Sequence, residues 1–85
     1  MYKLEIYSRN GCVYCQMAKR LLNSNDIQYQ EYDVTHDPVL TDEMRDRSNR
    51  VSVPQIFLNQ EHIGGFDELA KAIRNDEFMQ KLQAA

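Results

Sequence analysis

The chain has 85 residues, 42% hydrophobic and 27% charged, a balance that suits one small domain spanning 1–85 and leaves no room for a second. Area scaling puts about 64% of the unfolded surface out of water on folding, enough for one modest core. A net charge of −3 argues against nonspecific nucleic-acid binding, two cysteines are too few for a disulfide scaffold, and no apolar window nears the ~18 residues of a bilayer span.

Met1 to Ser8 lacks the basic-then-apolar pattern of a signal peptide, so the expectation is a monomer in the reducing cytoplasm, with neither nucleic acid nor membrane as partner. Tyr2, Leu4 and Ile6 alternate with Lys3 and Glu5, a period of two that predicts a first strand, and Asn10-Gly11 ends it. Val13, Met17, Ala18, Leu21 and Leu22 follow at the spacing of one helical face, stopped by Asn23-Ser24-Asn25.

Ile27 to Val34, rich in tyrosine and β-branched residues, predicts a second strand. Its alternation slips between Tyr29 and Tyr32, as a bulge or a strand covered on both faces would make it do. Thr35 to Ser48 is polar, with Leu40 and Met44 at helical spacing, and predicts an amphipathic helix that buries little. Gln55 to Leu58 and His62-Ile63 form short strands about an Asn59-Gln60 turn. Phe66, Leu69, Ala70 and Ile73 mark a third helix, and Phe78, Met79 and Leu82 suggest a last turn or two. Strands joined through a helix run parallel and hairpin strands antiparallel, so the class is α/β with a mixed sheet and helices on its faces.

The chemistry concentrates in Cys12-Val13-Tyr14-Cys15, at the junction of the first strand and first helix. Free N–H groups and the positive end of the helix dipole favour an anion there, so Cys12 is expected to be more acidic than a free thiol. Arg9, and less directly Lys19, add positive charge; from Ile6 to Asn25 there is no acidic residue, whereas Asp26 to Ser48 carries seven. Residues i and i+3 of a helix lie about 5 to 6 Å apart, within disulfide range. Two plainer readings compete. A structural zinc site would need four ligands, and His36 and His62 do not supply the second half of one. The cysteines could instead be inert packing residues.

Two further blocks join the cysteines: Ser52-Val53-Pro54-Gln55-Ile56-Phe57 and His62-Ile63-Gly64-Gly65-Phe66-Asp67. On local grounds, Val53 before proline is extended and can offer its N–H and C=O to a ligand strand, Gly64-Gly65 allows close approach or positive φ, and Asp67 reads as a helix N-cap. In order and spacing the three blocks resemble glutaredoxin, over Tyr2 to about Arg74. The resemblance implies a thioredoxin-like fold, with a four-stranded mixed β-sheet flanked by three or more helices, and a cis Val53-Pro54 bond. It implies glutathione as co-substrate, no metal, and a groove formed by Tyr14, Val53, Pro54, Gly65, Phe66 and Asp67, with Asp67 facing the γ-glutamyl ammonium. It also implies a catalytic pair in which Cys12 attacks glutathionylated or disulfide-bonded proteins and Cys15, the more buried thiol, resolves the intermediate.

Three positions depart from the family pattern. Val13 stands where proline is usual, a position that influences redox poise and cluster binding. Ser52 replaces threonine, and Thr41 stands where a basic or amide residue meets the glycyl carboxylate, moving that contact toward Arg9. Two alternative readings follow: a dimer sharing a [2Fe–2S] cluster through Cys12 and glutathione, and a redoxin served directly by a flavoprotein reductase.

Overall fold

The computed structural model describes residues 2–84. Among them the chain forms β1 (Leu4–Ser8), α1 (Val13–Ser24), β2 (Gln30–Asp33), α2 (Pro38–Ser48), β3 (Gln55–Leu58), β4 (Glu61–Gly64), α3 (Phe66–Ile73) and α4 (Asp76–Ala84). The strands make one mixed sheet in the order β2-β1-β3-β4, with β1 and β2 parallel and the other two pairings antiparallel. This is the sheet that the resemblance implies. The fourth helix is longer than the last turn or two expected, because Phe78 and Leu82 both reach the core.

Helices on both faces explain why the central strands are buried at every position. Leu4 and Ile6 of β1 and Ile56 and Leu58 of β3 turn to one face, where Ala18 and Leu22 of α1, Leu69 of α3 and Phe78 and Leu82 of α4 cover them. Tyr7 and Phe57 turn to the other, against Met44 of α2 and Val34.

The two-sided cover corrects the first strand. β1 begins two residues later than the alternation suggested, and Glu5, a polar member of that alternation, is 4% exposed. It also explains the slip in the second strand, since Tyr29 packs on the α1 side and Tyr32 on the α2 side. The strand itself starts only at Gln30. Asp26 turns the chain with a φ of 55°, Ile27 N–H closes the end of α1 on Leu22 C=O at 2.9 Å, and Gln28 N–H donates to the Tyr2 hydroxyl at 3.0 Å. α2 starts at Pro38, three residues later than expected, because Asp37 accepts the Leu40 N–H at 3.0 Å as its N-cap. The hairpin turn is at Asn59-Gln60 as expected, both with positive φ.

α2 contributes little apolar surface, and a polar network completes its layer. Arg47 reaches from α2 to the sheet, where its Nη2 meets Glu5 Oε1 at 2.9 Å, its Nη1 donates to the Tyr7 hydroxyl at 2.9 Å, and its guanidinium lies 4.0 Å from the centre of the Phe57 ring. The Tyr32 hydroxyl donates to Glu5 Oε2 at 2.9 Å. Arg47 holds the Glu5 carboxyl below the usual glutamate range, outweighing the burial that pushes the other way. Burial, with the Glu43 carboxylate beside its hydroxyl, pushes Tyr7 up to about 12.

Arg47→Met would leave the buried Glu5 carboxylate, among the described residues, with only the Tyr32 hydroxyl at 2.9 Å and Lys3 at 3.8 Å beside it. Urea unfolding should then show a loss of about 3 kcal/mol, part of which Glu5→Gln in the same chain restores. Because the folded pKa of Glu5 lies below its unfolded value, its contribution is complete above the ordinary glutamate range and is lost as the pH falls through the folded value. The stability difference between the natural protein and Glu5→Gln should therefore narrow below about pH 4.

Candidate active site

Strand directions bring the three sequence blocks to one end of the sheet. Tyr7 pairs with Gln55, so the chain leaving β1 for Cys12 lies beside the chain entering β3 from Val53-Pro54. Ile56 pairs with Gly64, so the passage from β4 into α3 arrives at the same end.

Cys12 is the N-cap residue of α1. Its backbone is extended, with a φ of −90° and a ψ of 112°, and its Sγ accepts the Cys15 N–H at 3.1 Å. A thiol thus takes the role that serine or aspartate usually fills at a helix start, and no acidic residue stands in the first turn. Cys12 is half-buried and reachable, and both cysteines are free thiols. Cys15 lies one turn inside, with no exposed surface. Burial above all, with Cys12 beside it, pushes its thiol up to about 12; the Arg9 backbone and Lys19 act in the opposite direction.

Across from Cys12, the Val53-Pro54 bond is cis and the Val53 C=O lies 3.9 Å from Sγ. Among the described residues, neither the N–H nor the C=O of Val53 pairs with another backbone group. Buried polar side chains fix this segment. Ser48 accepts the Arg50 N–H at 3.0 Å, and Gln55 donates to Ser52 C=O at 3.0 Å while its other amide atom meets His62 Nε2 at 2.8 Å. His62 is therefore a hairpin residue, with its pKa lowered by burial and by Arg50.

A hollow of about 170 Å³ runs between Tyr14, Pro54 and the start of α3 at Gly65, Phe66 and Asp67. The Tyr14 ring, 58% exposed, stands 6.1 Å from that of Phe66. No cysteine lines this hollow or a larger one of about 610 Å³ between β4 and helices α3 and α4. Only the smaller is walled by Tyr14, between the two cysteines in sequence, and by Pro54, next to the Val53 C=O that faces Cys12 Sγ.

The start of α3 corrects one expectation. Its N-cap is Gly65, not Asp67, and Glu68 closes the cap from inside the helix, its Oε1 accepting the Gly65 N–H at 2.7 Å and the Arg50 guanidinium at 3.0 Å. The Gly65 N–H first, then Arg50, hold the Glu68 carboxyl below the usual range. With capping done by Glu68, the exposed Asp67 carboxylate is left to line the hollow. The glycine pair divides its work: Gly64 takes a φ of +131° against the Glu68 side chain, and Gly65 stands where an added Cβ would lie 3.5 Å from Pro54 C=O. Sequence reasoning passed over Glu68, although Gly65-x-x-Glu68 has capping-box spacing; nothing in the sequence marked Arg50 as its partner.

Arg9 meets the cysteines through its backbone, its C=O accepting the Cys12 N–H at 3.4 Å. Its side chain is exposed and forms no ion pair among the described residues. Thr41 spends its hydroxyl on Asp37 C=O at 3.0 Å. Among the described residues, no group of three or more His, Cys, Asp or Glu side chains converges as metal ligands would, and no helix is long and apolar enough to cross a membrane.

A half-exposed thiol that caps a helix, three residues from a buried one, is an arrangement for thiol–disulfide exchange. Comparison with known proteins agrees. The sequence profile of the Glutaredoxin family matches residues 4–63. Glutaredoxin 3 of Escherichia coli strain K12 is 44% identical over 69 residues, which cover 81% of this chain and 83% of that one. Among solved structures, glutaredoxin 1 from Francisella tularensis, complexed with cacodylate, is similar at a TM-score of 0.77 and 36% identity over 94% of this chain and 99% of its own. Glutaredoxin from Brucella melitensis reaches 0.79 and 38% over 94% and 87%. Sheet order, paired cysteines and these matches over most of the length give one answer: the chain belongs to the glutaredoxin family of thiol–disulfide oxidoreductases, with the family's thioredoxin-like fold.

Proposed function

We propose that this protein is a dithiol glutaredoxin that uses glutathione to reduce protein–glutathione mixed disulfides and protein disulfides, acting as a monomer in the reducing cytoplasm. The observation that carries the reading is the position of Cys12 Sγ, capping α1 and reachable from outside, beside a hollow whose far wall is the start of another helix.

The Cys12 thiolate attacks the glutathione sulfur of a mixed disulfide, and the protein thiolate leaves with the electron pair of the broken bond. The Cys15 N–H aimed at Sγ is worth most while that sulfur carries charge. Cys12 is then itself glutathionylated. A second glutathione attacks and leaves as glutathione disulfide, or Cys15 displaces glutathione and closes the Cys12–Cys15 disulfide.

The groups in and around the hollow match the parts of the tripeptide. The Val53 N–H and C=O, which have no backbone partners among the described residues, offer an extended ligand the bonds of an added strand once the Cys12 thiol releases the C=O. The first N–H groups of α3 have no partners inside the helix and suit the γ-glutamyl α-carboxylate, while the Asp67 carboxylate suits its ammonium. Tyr14 and Phe66 flank the opening, and Arg9 is the cation proposed for the glycyl carboxylate.

Turnover of a glutathionylated peptide with glutathione, NADPH and glutathione reductase tests the proposal. Cys12→Ser should abolish it and Cys15→Ser should keep most of it; activity without Cys12, or with a flavoprotein reductase alone, overturns the assignment. Asp67→Asn removes one charge-assisted contact and should raise the KM for glutathione about tenfold while changing kcat less.

A further inference from the structure

A group of charged side chains that the exchange chemistry leaves unused lies beside Cys15. Lys19 follows Cys15 by four residues on α1, which puts it on the same helix face one turn further along. A lysine on a helix surface ordinarily moves freely in solvent, but this one is pinned. Its Nζ meets Glu31 Oε2 of β2 at 2.9 Å, and the same oxygen accepts the Ser8 hydroxyl of β1 at 2.6 Å. Ser8 is buried, and the Lys19 side chain is 21% exposed. The ammonium is thus fixed where α1, β1 and β2 meet. Glu31 above all holds Lys19 in its charged form, with Tyr29 acting in the same sense, and Asp33 is the other acid of β2 that acts on Glu31.

The two cysteines differ in what helps them carry charge. Cys12 has the helix start and the Cys15 N–H. Cys15 has given that N–H away and is fully buried, and the Arg9 backbone and Lys19 act in favour of its anion.

We propose that Lys19, fixed in place by Glu31 and Ser8, is a positioning residue for the resolving step, its ammonium stabilising the Cys15 thiolate as that thiolate attacks Cys12 in a mixed disulfide. The proposal rests on the dithiol reading above. In the step Cys15 loses its proton, its sulfur lone pair forms the bond to Cys12 Sγ, and the bond between Cys12 and the carried thiol breaks. The carried thiol departs with that electron pair and takes up a proton, so no outside oxidant or reductant is required. Lys19 has no part in the first attack, which Cys12 makes alone.

The test loads Cys12 of the full chain with 2-nitro-5-thiobenzoate as a mixed disulfide and follows release of the coloured thiolate at pH 7. Lys19→Met should slow release about threefold, since a one-unit rise in the Cys15 pKa cuts the thiolate tenfold but leaves that thiolate more nucleophilic, and Lys19→Arg should restore most of the rate. In a Cys15→Ser background, Lys19→Met should leave glutathione-dependent turnover unchanged. Release by Lys19→Met at the natural rate overturns the proposal, as does equal slowing in Lys19→Arg or a parallel fall in Cys15→Ser turnover, either of which marks a merely structural role. An adduct that forms but is never released by the natural protein, or that never forms, instead refutes the dithiol reading and takes the proposal with it.

Discussion

The site depends on the hydrogen bond from the Cys15 N–H to the Cys12 sulfur. Every helix begins with N–H groups that lack partners, and most sequences meet them with a hydroxyl or a carboxylate. Here the partner is the sulfur. A serine or aspartate cap would satisfy the helix equally well and leave nothing to react, whereas a cysteine couples the helix's structural need to an attacking atom. The first turn carries no acid that would oppose charge on that sulfur. Ala18 and Leu22, further along α1, have no exposed surface. Burial of that face against the sheet therefore sets where the sulfur stands, and its position does not rely on the loop before it.

Most of this was legible in the residues. The cysteine spacing, Val53-Pro54 and Gly64-Gly65 are local signals, and antiparallel pairing of β1 with β3 and β3 with β4 is enough to gather them at one end of the sheet. The helices were readable for the same reason: Ala18, Leu22 and Leu69 fall on single apolar faces. What local pattern could not reveal was which polar residues would find each other across the fold. Nothing near Glu5 in the sequence marks it for burial, because its partner, Arg47, lies 42 residues away on a helix whose sequence is mostly polar. Glu31 and Lys19 are on different elements, and neither sits in a motif. Asp67 was misplaced as the N-cap because a preference for aspartate at helix starts does not reveal whether another carboxylate, here Glu68, already closes the cap.

The two layers around the sheet are built differently, and each serves one wall of the site. The layer containing α1, α3 and α4 is apolar, and it fixes both helix starts that face the hollow. The α2 layer has few apolar side chains and is completed by an arginine over an aromatic ring, a bonded glutamate and two tyrosines. Such a layer is directional where an apolar one is not. Ser48 at the end of α2 and Gln55 at the start of β3 fasten the segment that carries Val53 to the cysteines, and Arg50 of that segment reaches across to Glu68 at the start of α3. The opposing walls of the hollow are thus joined to each other as well as to the core.

The same division explains how two thiols three residues apart come to differ. A helix N-cap is by geometry at the surface, since its backbone has not yet entered the helix, while a residue one turn in faces whatever the helix packs against. Cys12 takes the first position and Cys15 the second, so reachability and burial follow from one helix laid on one sheet. Burial makes Cys15 reluctant to ionise and keeps it from outside partners, so it serves best against a sulfur already bound next to it. An outer thiol that meets substrates and an inner one that meets only its neighbour are what ordered exchange requires. Fully exposing Cys15 would ease its ionisation, but it would also open the inner thiol to outside partners and so remove the order.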